Sequence, residues 1–274
     1  MIKNKYVKLV NGVEIPMLGL GTWQVESEKE AVDSVKYALQ IGYRHIDTAA
    51  AYNNEQFVGK GIKESGISRD DIFLTTKLWN SDQGYESTLK AFDKSLKKLG
   101  VDYLDLYLIH WPKGEKSKES WHAMEKLYNE KLIKSIGVSN FLQHHLEDLM
   151  KNTKLNPMVN QVEFHPYLVQ SELHDYCIKN NIQYEAWSPL MRGKIMKIKE
   201  LQTIAESHKR SVTQIVLRWD IQMGVVTIPK STHPQRIKEN AEIFDFELTD
   251  EEMNIITSLD KGKRIGPDPD NFNF

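Results

Sequence analysis

Apolar and polar residues follow two alternating patterns along this chain. Short runs rich in β-branched and aromatic residues are typical of strands, and each is followed by a longer run with apolar residues every three to four positions, typical of amphipathic helices. After an opening hairpin, the strand pattern occurs at residues 18–21, 44–47, 72–77, 104–110, 133–138, 159–163, 183–186 and 224–228. The helix pattern occurs at residues 28–40, 54–64, 85–99, 120–130, 142–149, 171–180, 198–207 and 211–222, and Thr249 is the predicted N-cap of a last helix.

The hairpin and the eight strand–helix units together predict the fold. Residues 6–9 and 13–17 flank the dipeptide Asn11-Gly12, which favours a tight hairpin turn. Strands that alternate with helices form parallel sheets, and eight such units in about 250 residues favour a closed barrel over an open doubly wound sheet. We therefore predict an α/β protein with one domain over residues 1–274, a (β/α)8 TIM barrel with an N-terminal β-hairpin and extra helices.

Composition excludes several classes of protein. The 274 residues include 36 Lys and Arg against 38 Asp and Glu, and a net charge of −2 gives no reason to expect nucleic acid or a membrane as a partner. The sequence shows neither a run of about 18 apolar residues nor a leader-like N-terminus, so we expect a cytoplasmic protein. The single cysteine, Cys177, excludes an intramolecular disulfide and is expected to be a structural thiol. We also expect a monomer that holds no metal ion.

Polar residues stand where the predicted strands end, which in a barrel of this type is the face that bears the active site. Asp47, Lys77 and His110 end the second, third and fourth strands, and Tyr52 lies shortly after Asp47. Together they would suit the protonation of a carbonyl oxygen while hydride reaches the carbon. A tyrosine hydroxyl has an ordinary pKa of about 10, so we expect the Lys77 ammonium to lower it and Asp47 to hold Lys77. His110 would donate a hydrogen bond to the substrate oxygen.

Each of these residues also has a structural interpretation when it is taken alone. Asp47 could cap the segment at Asn53, and Lys77 could be a solvated strand end. His110 could be a hydrogen-bonded structural histidine, and Tyr52 could belong to the core or the rim. The common position of all four at one end of the barrel favours the catalytic interpretation.

Five separated motifs resemble the signatures of the aldo-keto reductase family and occur in the family's order. They are Gly42-Tyr43-Arg44-His45-Ile46-Asp47-Thr48-Ala49-Ala50-Ala51-Tyr52 with Asn53-Asn54-Glu55, Ile109-His110-Trp111-Pro112, Gly137-Val138-Ser139-Asn140-Phe141, Asn160-Gln161-Val162-Glu163 and Ile228-Pro229-Lys230-Ser231. The resemblance extends from the hairpin to about Leu259 and is closest to the compact prokaryotic branch that includes the 2,5-diketo-gluconate reductases. It implies NADPH-dependent reduction of aldehydes or ketones, including small dicarbonyl compounds. It also implies a catalytic tetrad of Asp47, Tyr52, Lys77 and His110, with Tyr52 as the general acid.

The sequence has no glycine motif of the Rossmann type. The resemblance implies instead that an extended cofactor lies across the barrel mouth. The nearest match, Gly19-Leu20-Gly21-Thr22-Trp23-Gln24, lacks the third glycine. Ser139, Asn140 and Gln161 match residues that bind the nicotinamide carboxamide. Trp187 matches the aromatic residue that stacks on the nicotinamide ring, where many relatives have tyrosine, although it could also be a packed strand-end side chain.

The implied adenosine end of the cofactor site is basic. Lys230, Ser231, Thr232 and Arg236 would surround a 2′-phosphate, which favours NADPH over NADH, although the two cations could also be a solvated patch. Glu239 and Asn240 match residues that bind adenosine. The remaining implied cofactor contacts are Gly21, Thr22, Trp23, Asp47, Ser188 and Leu190.

Substrate contacts are expected from three indoles that follow strands. Trp23, Trp79 and Trp111 could wall an apolar cleft over Tyr52 and His110. The charged loop at residues 112–118 and the C-terminal segment at residues 261–274 are short, which predicts an open and tolerant site.

Two other functions compete with carbonyl reduction. Some proteins that resemble this family are regulatory subunits of potassium channels, but that role favours a long N-terminal extension, which the sequence does not show. A barrel hydrolase could pair Glu163 with Asp47. That alternative leaves Tyr52, Lys77 and the segment 230–240 without a role.

Overall fold

The computed structural model describes residues 5–151 and 153–274. Its first element is a hairpin, in which strand β1 (Tyr6–Lys8) pairs antiparallel with strand β2 (Glu14–Pro16). Gly12 allows the turn because its backbone has a φ of 90°, a left-handed conformation that residues with a Cβ avoid. The predicted hairpin is confirmed, with slightly shorter strands.

Eight further strands form one parallel sheet that closes on itself. They are β3 (Leu20–Gly21), β4 (His45–Asp47), β5 (Phe73–Leu78), β6 (Leu106–Ile109), β7 (Ile136–Ser139), β8 (Val159–Glu163), β9 (Gln183–Trp187) and β10 (Val226–Thr227). Each strand pairs with the next one in the chain. Pairing of Leu18 with Thr227 and of Gly21 with Lys230 joins the last strand to the first. The predicted (β/α)8 barrel is confirmed.

Ten α-helices lie within the described ranges and surround the sheet. They are α1 (Glu28–Ile41), α2 (Glu55–Ser65), α3 (Tyr85–Leu99), α4 (Glu115–Asn129), α5 (Gln143–Met150), α6 (Ser171–Lys179), α7 (Lys199–His208), α8 (Val212–Gln222), α9 (Pro234–Ala241) and α10 (Asp250–Thr257). The predicted N-cap of the last helix is confirmed, because the Thr249 hydroxyl accepts a hydrogen bond from the Glu252 N–H at 3.2 Å.

One boundary differs from the prediction. Helix α4 begins at Glu115 rather than at residue 120, so the predicted loop 112–118 is only half as long. Gly114, with a φ of 53°, turns the chain directly before the helix. The Ser117 hydroxyl then accepts the Lys113 N–H at 2.8 Å and stabilises the first turn.

Large apolar side chains fill the space between sheet and helices. Trp121 and Trp219 are among the largest buried residues, and Phe164 stacks on Trp219 with ring centroids 4.8 Å apart. Cys177 is also buried, and burial raises the pKa of its thiol to about 12, which suits the predicted structural role. Within residues 5–151 and 153–274, no helix has the length and apolar character needed to cross a membrane.

The C-terminal segment, residues 261–274, folds back across the barrel. The Glu163 carboxylate at the end of β8 accepts hydrogen bonds from the N–H groups of Ile265 at 2.6 Å and Gly266 at 3.1 Å. Since charge-assisted hydrogen bonds to a buried carboxylate are strong, Glu163 anchors this segment over the C-terminal ends of the strands.

Candidate active site

A cleft of about 1400 Å³ opens at the C-terminal ends of the strands. This volume exceeds the ~300–1,000 Å³ typical of a site for one small ligand, so the cleft has room for a dinucleotide and a substrate. All of the predicted site residues line it except Thr22 and Lys77. The Thr22 hydroxyl donates instead to the Asp47 carbonyl oxygen at 2.9 Å, and Lys77 is fully buried at the floor of the cleft.

A buried ion pair forms this floor. Lys77 Nζ lies 2.6 Å from Asp47 Oδ1, because the two residues are on neighbouring strands β5 and β4. Gln161 Nε2 donates to the other Asp47 oxygen at 2.9 Å, and Lys77 also donates to the Thr48 carbonyl oxygen at 2.9 Å. The side chains of Lys77 and Asp47 are 0% and 2% exposed. The alternatives of a solvated Lys77 and a helix-capping Asp47 are therefore wrong.

Burial and attraction oppose each other within the pair. Burial is the largest single effect and disfavours the Lys77 ammonium, but the combined attraction of Asp47, Tyr52 and Glu185 outweighs it, and the pKa of Lys77 is raised. Burial also raises the pKa of Asp47, against the pull of Lys77 and Gln161. Because these two neighbours donate to both Asp47 oxygens, we assign the pair as ammonium and carboxylate at neutral pH.

Tyr52 completes a single turn of 3-10 helix, Ala50–Tyr52, that follows β4. Its hydroxyl oxygen lies 3.5 Å from Lys77 Nζ, so the predicted contact is present. Burial raises the pKa of Tyr52 above its ordinary value, and the Lys77 ammonium only reduces this rise. The predicted lowering by Lys77 is therefore present, but burial outweighs it and the net pKa of Tyr52 is raised.

His110 directly follows β6 and lies between two aromatic rings. Its ring centroid is 5.7 Å from that of Tyr52 and 5.2 Å from that of Trp79. Burial, and then the charge of Lys77, hold the pKa of His110 well below its usual range. The imidazole is therefore neutral at neutral pH, and a neutral imidazole can still donate one N–H to a substrate oxygen.

The four residues predicted to hold the nicotinamide meet at the ends of β7, β8 and β9. Asn140 Oδ1 accepts a hydrogen bond from Trp187 Nε1 at 2.8 Å, and Asn140 Nδ2 donates to the Ser139 hydroxyl at 3.1 Å. Asn140 and Ser188 have left-handed backbones, with φ of 64° and 56°, which non-glycine residues adopt mainly at functional sites and turns. The Ser139 hydroxyl also donates to the Gln161 carbonyl oxygen at 2.8 Å, so Ser139, Asn140, Gln161 and Trp187 form one connected polar set beside the ion pair.

Another part of the cleft holds the predicted phosphate-binding residues. Lys230 and Arg236 are exposed, and neither forms an ion pair with any residue in the described ranges. Ser231 is buried beside them, and its hydroxyl accepts the His233 N–H at 3.1 Å. Two unpaired cations near a hydroxyl are a suitable donor set for a phosphate group, so these residues fit the 2′-phosphate of NADPH.

Aromatic rings wall the cleft beside His110. Phe274 of the C-terminal segment stacks on Trp79, with centroids 5.6 Å apart and planes at 6°, and contacts Trp111 edge-on at 5.2 Å. The segment therefore narrows the substrate end of the cleft, and the predicted open site is wrong. Trp23 lies at the rim, 40% exposed, with the Arg192 guanidinium 4.8 Å above its ring.

Among the residues that sequence reasoning missed, Arg192, Gly266 and Phe274 line the cleft, and Glu185 is buried on β9. Gly266 approaches Trp187 so closely that a Cβ at this position would lie 2.3 Å from Cη2 of the indole. Phe274 and Gly266 lie far along the chain from the strands that they cover, so no local pattern indicates them. Glu185 did have a signal, because it is an acidic residue within a predicted buried strand, in phase with Trp187.

Comparisons with known proteins show the family of this chain. The model of the aldo/keto reductase family matches residues 17–261. Over 268 residues the chain is 59% identical to glyoxal reductase from Bacillus subtilis (strain 168), covering 98% of this chain and 97% of that protein. An aldo-keto reductase from a Medee basin deep-sea metagenome library has a TM-score of 0.96 and 51% identity over 98% of this chain and 100% of its own. A Gox0644 mutant solved in complex with NADPH has a TM-score of 0.94 and 42% identity over 99% of both chains.

The closed barrel and the cleft at its C-terminal end define an oxidoreductase that acts with a nicotinamide cofactor. The chain belongs to the aldo/keto reductase family, and it is an NADP-dependent reductase of carbonyl compounds. The hydrolase alternative also fails on geometry. Glu163 is engaged by His165 and by the backbone of Ile265 and Gly266, whereas Asp47 is bonded to Lys77.

Proposed function

We propose that this protein reduces small dicarbonyl compounds such as glyoxal with NADPH, and that Tyr52 donates the proton. The observation that carries the proposal is the chain of contacts from Asp47 through Lys77 to Tyr52, beside His110. The 59% identity to a glyoxal reductase supports a dicarbonyl substrate.

Bound NADPH supplies a hydride to the carbonyl carbon, and the residues of this chain manage the proton. The Tyr52 hydroxyl holds the proton that the carbonyl oxygen receives as the C–H bond forms. Lys77, 3.5 Å away, stabilises the phenolate that remains, and Asp47 keeps Lys77 charged and in place. His110 donates a hydrogen bond to the same substrate oxygen and orients it.

The substrate end of the cleft favours small molecules. Phe274 contacts both Trp79 and Trp111 there, and Trp79 lies edge-on to His110, so aromatic rings line this end of the cleft. In a dicarbonyl compound the second carbonyl withdraws electrons from the first, which makes hydride transfer easier. Small size and high electrophilicity therefore both suit this site.

The test is a panel of substrates, and the turnover of each is measured by the loss of nicotinamide absorbance. We expect glyoxal and methylglyoxal to have a higher kcat/KM than a bulky aromatic ketone. A preference for the bulky ketone, or no turnover of either dicarbonyl, would contradict the proposed substrate class. Titration of NADPH against protein fluorescence in the same preparation shows that the cofactor site is intact.

A further inference from the structure

Glu185 on β9 is a buried acid that the proton transfer described above does not use. Its side chain is 0% exposed, and neither carboxyl oxygen has a hydrogen-bond partner within the described ranges. An ionised carboxylate in such a place is costly, because nothing replaces the water that solvated it. Its surroundings therefore favour a proton on Glu185 at neutral pH.

The basic side chain beside Glu185 is that of His45, and it does not act as a counter-ion. His45 Nε2 on β4 lies 3.7 Å from Glu185 Oε1 and also contacts the Thr75 hydroxyl at 3.2 Å. Burial and, to a smaller extent, the Lys77 charge lower the pKa of His45 to about 3, against a hydrogen bond to the backbone of Pro16. His45 is therefore neutral, and within residues 5–151 and 153–274 Lys77 is the one cation that acts on Glu185.

Lys77 is already committed to another carboxylate. It bonds to Asp47 at 2.6 Å and reaches Tyr52 at 3.5 Å. The amide of Gln161 donates to Asp47 at 2.9 Å, and its attraction to Glu185 is the weakest influence on the pKa of that carboxyl group. One ammonium thus faces two buried carboxyl groups. Burial, and then repulsion from Asp47, raise the pKa of Glu185 to about 8.

We propose that Glu185 is a positioning residue of the reducing site. When Glu185 is protonated, the positive charge of Lys77 acts on Asp47 and Tyr52 alone. When Glu185 is ionised, Tyr52 becomes a weaker proton donor. The inference rests on the proposed role of Tyr52 as general acid. No bond is made to substrate at Glu185, and its proton exchanges with solvent.

The direction of the effect follows from charge. When Glu185 ionises, a second negative charge disfavours the phenolate and raises the pKa of Tyr52. Carbonyl reduction leaves a phenolate, so it slows as the pH rises through the ionisation of Glu185. Oxidation of the alcohol needs a phenolate at the start, so it begins at a higher pH than it would with a neutral residue here.

The test compares wild type with Glu185→Gln, which has nearly the same shape and stays neutral. Profiles of kcat/KM for glyoxal reduction and for the reverse oxidation are measured between about pH 5.5 and 10. We expect the two proteins to agree within about twofold below about pH 7. Above it, the alkaline limb of reduction should move up, and the rise of oxidation should move down, by on the order of one pH unit in Glu185→Gln.

Asp220→Asn is the matched control. Asp220 is another buried acid, but it accepts a hydrogen bond from Thr227 at 2.7 Å, and it is not among the groups that shift the pKa of Tyr52 most, whereas Glu185 is. Its replacement should leave the alkaline limbs in place. The proposal would be overturned if the alkaline limbs of wild type and Glu185→Gln lay at the same pH. It would also be overturned if Asp220→Asn shifted the limbs as far as Glu185→Gln does.

Infrared spectra of the wild type and of Asp220→Asn give a second readout. A buried protonated carboxyl absorbs apart from carboxylates, and in both proteins a band should disappear between about pH 7 and 9 as Glu185 ionises. Asp220 is removed in this comparison because burial raises its pKa as well. Absence of any such titration would overturn the proposal. If instead the wild type reduces no dicarbonyl while the band titrates, the proposed substrate class fails and the ionisation of Glu185 stands.

Discussion

The floor of the cleft and its phosphate-binding end treat positive charge in opposite ways. At the floor, Lys77 is fully buried and bonded to Asp47 and the Thr48 carbonyl. At the other site, Lys230 and Arg236 are exposed, and the described part of the chain offers them no ion pair. A buried charge must be satisfied by the protein itself, whereas water satisfies an exposed charge until a ligand replaces it. Substitutions at the two regions should therefore have different effects. Those at the floor should lower the rate of the chemical step, and those at the phosphate-binding end should weaken cofactor binding.

The largest effect is expected for Tyr52→Phe. Loss of the proton donor should lower kcat for glyoxal reduction by about 10²- to 10⁴-fold, the usual contribution of a general acid. The ring and its contact with His110 remain, so the Kd for NADPH should stay within about twofold of wild type. Steady-state kinetics and a fluorescence titration check the two parts. Turnover within about tenfold of wild type would show that another group supplies the proton.

Lys77→Met should damage both activity and stability. It leaves Asp47 buried without its counter-ion, a change that costs about 3–5 kcal/mol in comparable pairs. Because the ammonium restrains the rise in the pKa of Tyr52, its removal should move any remaining alcohol oxidation to higher pH. Denaturant unfolding and the pH profile of oxidation measure these effects.

A double variant separates the two roles of the ion pair. Lys77→Met combined with Asp47→Asn removes both charges, so it should regain most of the stability without regaining activity. If stability does not recover, Lys77 acts on the fold through its packing rather than through the charge of Asp47.

Lys230→Ala combined with Arg236→Ala tests the phosphate end. The affinity for NADPH should fall by about 10- to 100-fold, since two exposed charge-assisted contacts to the phosphate are lost, while the affinity for NADH should barely change. Lys238→Ala is the control, because Lys238 is exposed on α9, the helix that carries Arg236, but does not line the cleft. Equal losses for the two cofactors would assign the cations to a shared part of the dinucleotide.

The sequence predicted the elements of this site whose positions depend on local periodicity. Asp47, Lys77 and His110 lie at or beside strand ends, and parallel neighbours bring strand ends together, so their proximity follows from the barrel. The net pKa of Tyr52 could not be predicted, because it depends on how deeply the assembled protein buries the hydroxyl. The contact of Phe274 with Trp79 could not be predicted either, because a distant segment anchored by Glu163 brings it there.

The smallest effect is expected where that segment meets the substrate. Phe274→Ala removes a ring that lines the cleft and contacts both Trp79 and Trp111. Aromatic pairs contribute about 0.5–1.5 kcal/mol beyond burial, so the ratio of kcat/KM for a bulky ketone to that for glyoxal should rise by about two- to tenfold. Phe272→Ala is the control, because Phe272 contacts Trp111 at 5.0 Å but does not line the cleft. A rise confined to Phe274→Ala would assign selectivity to that ring. An equal rise in both variants would assign it to the packing of the whole segment. No rise in either variant would show that the indoles alone set the width of the substrate end of the cleft.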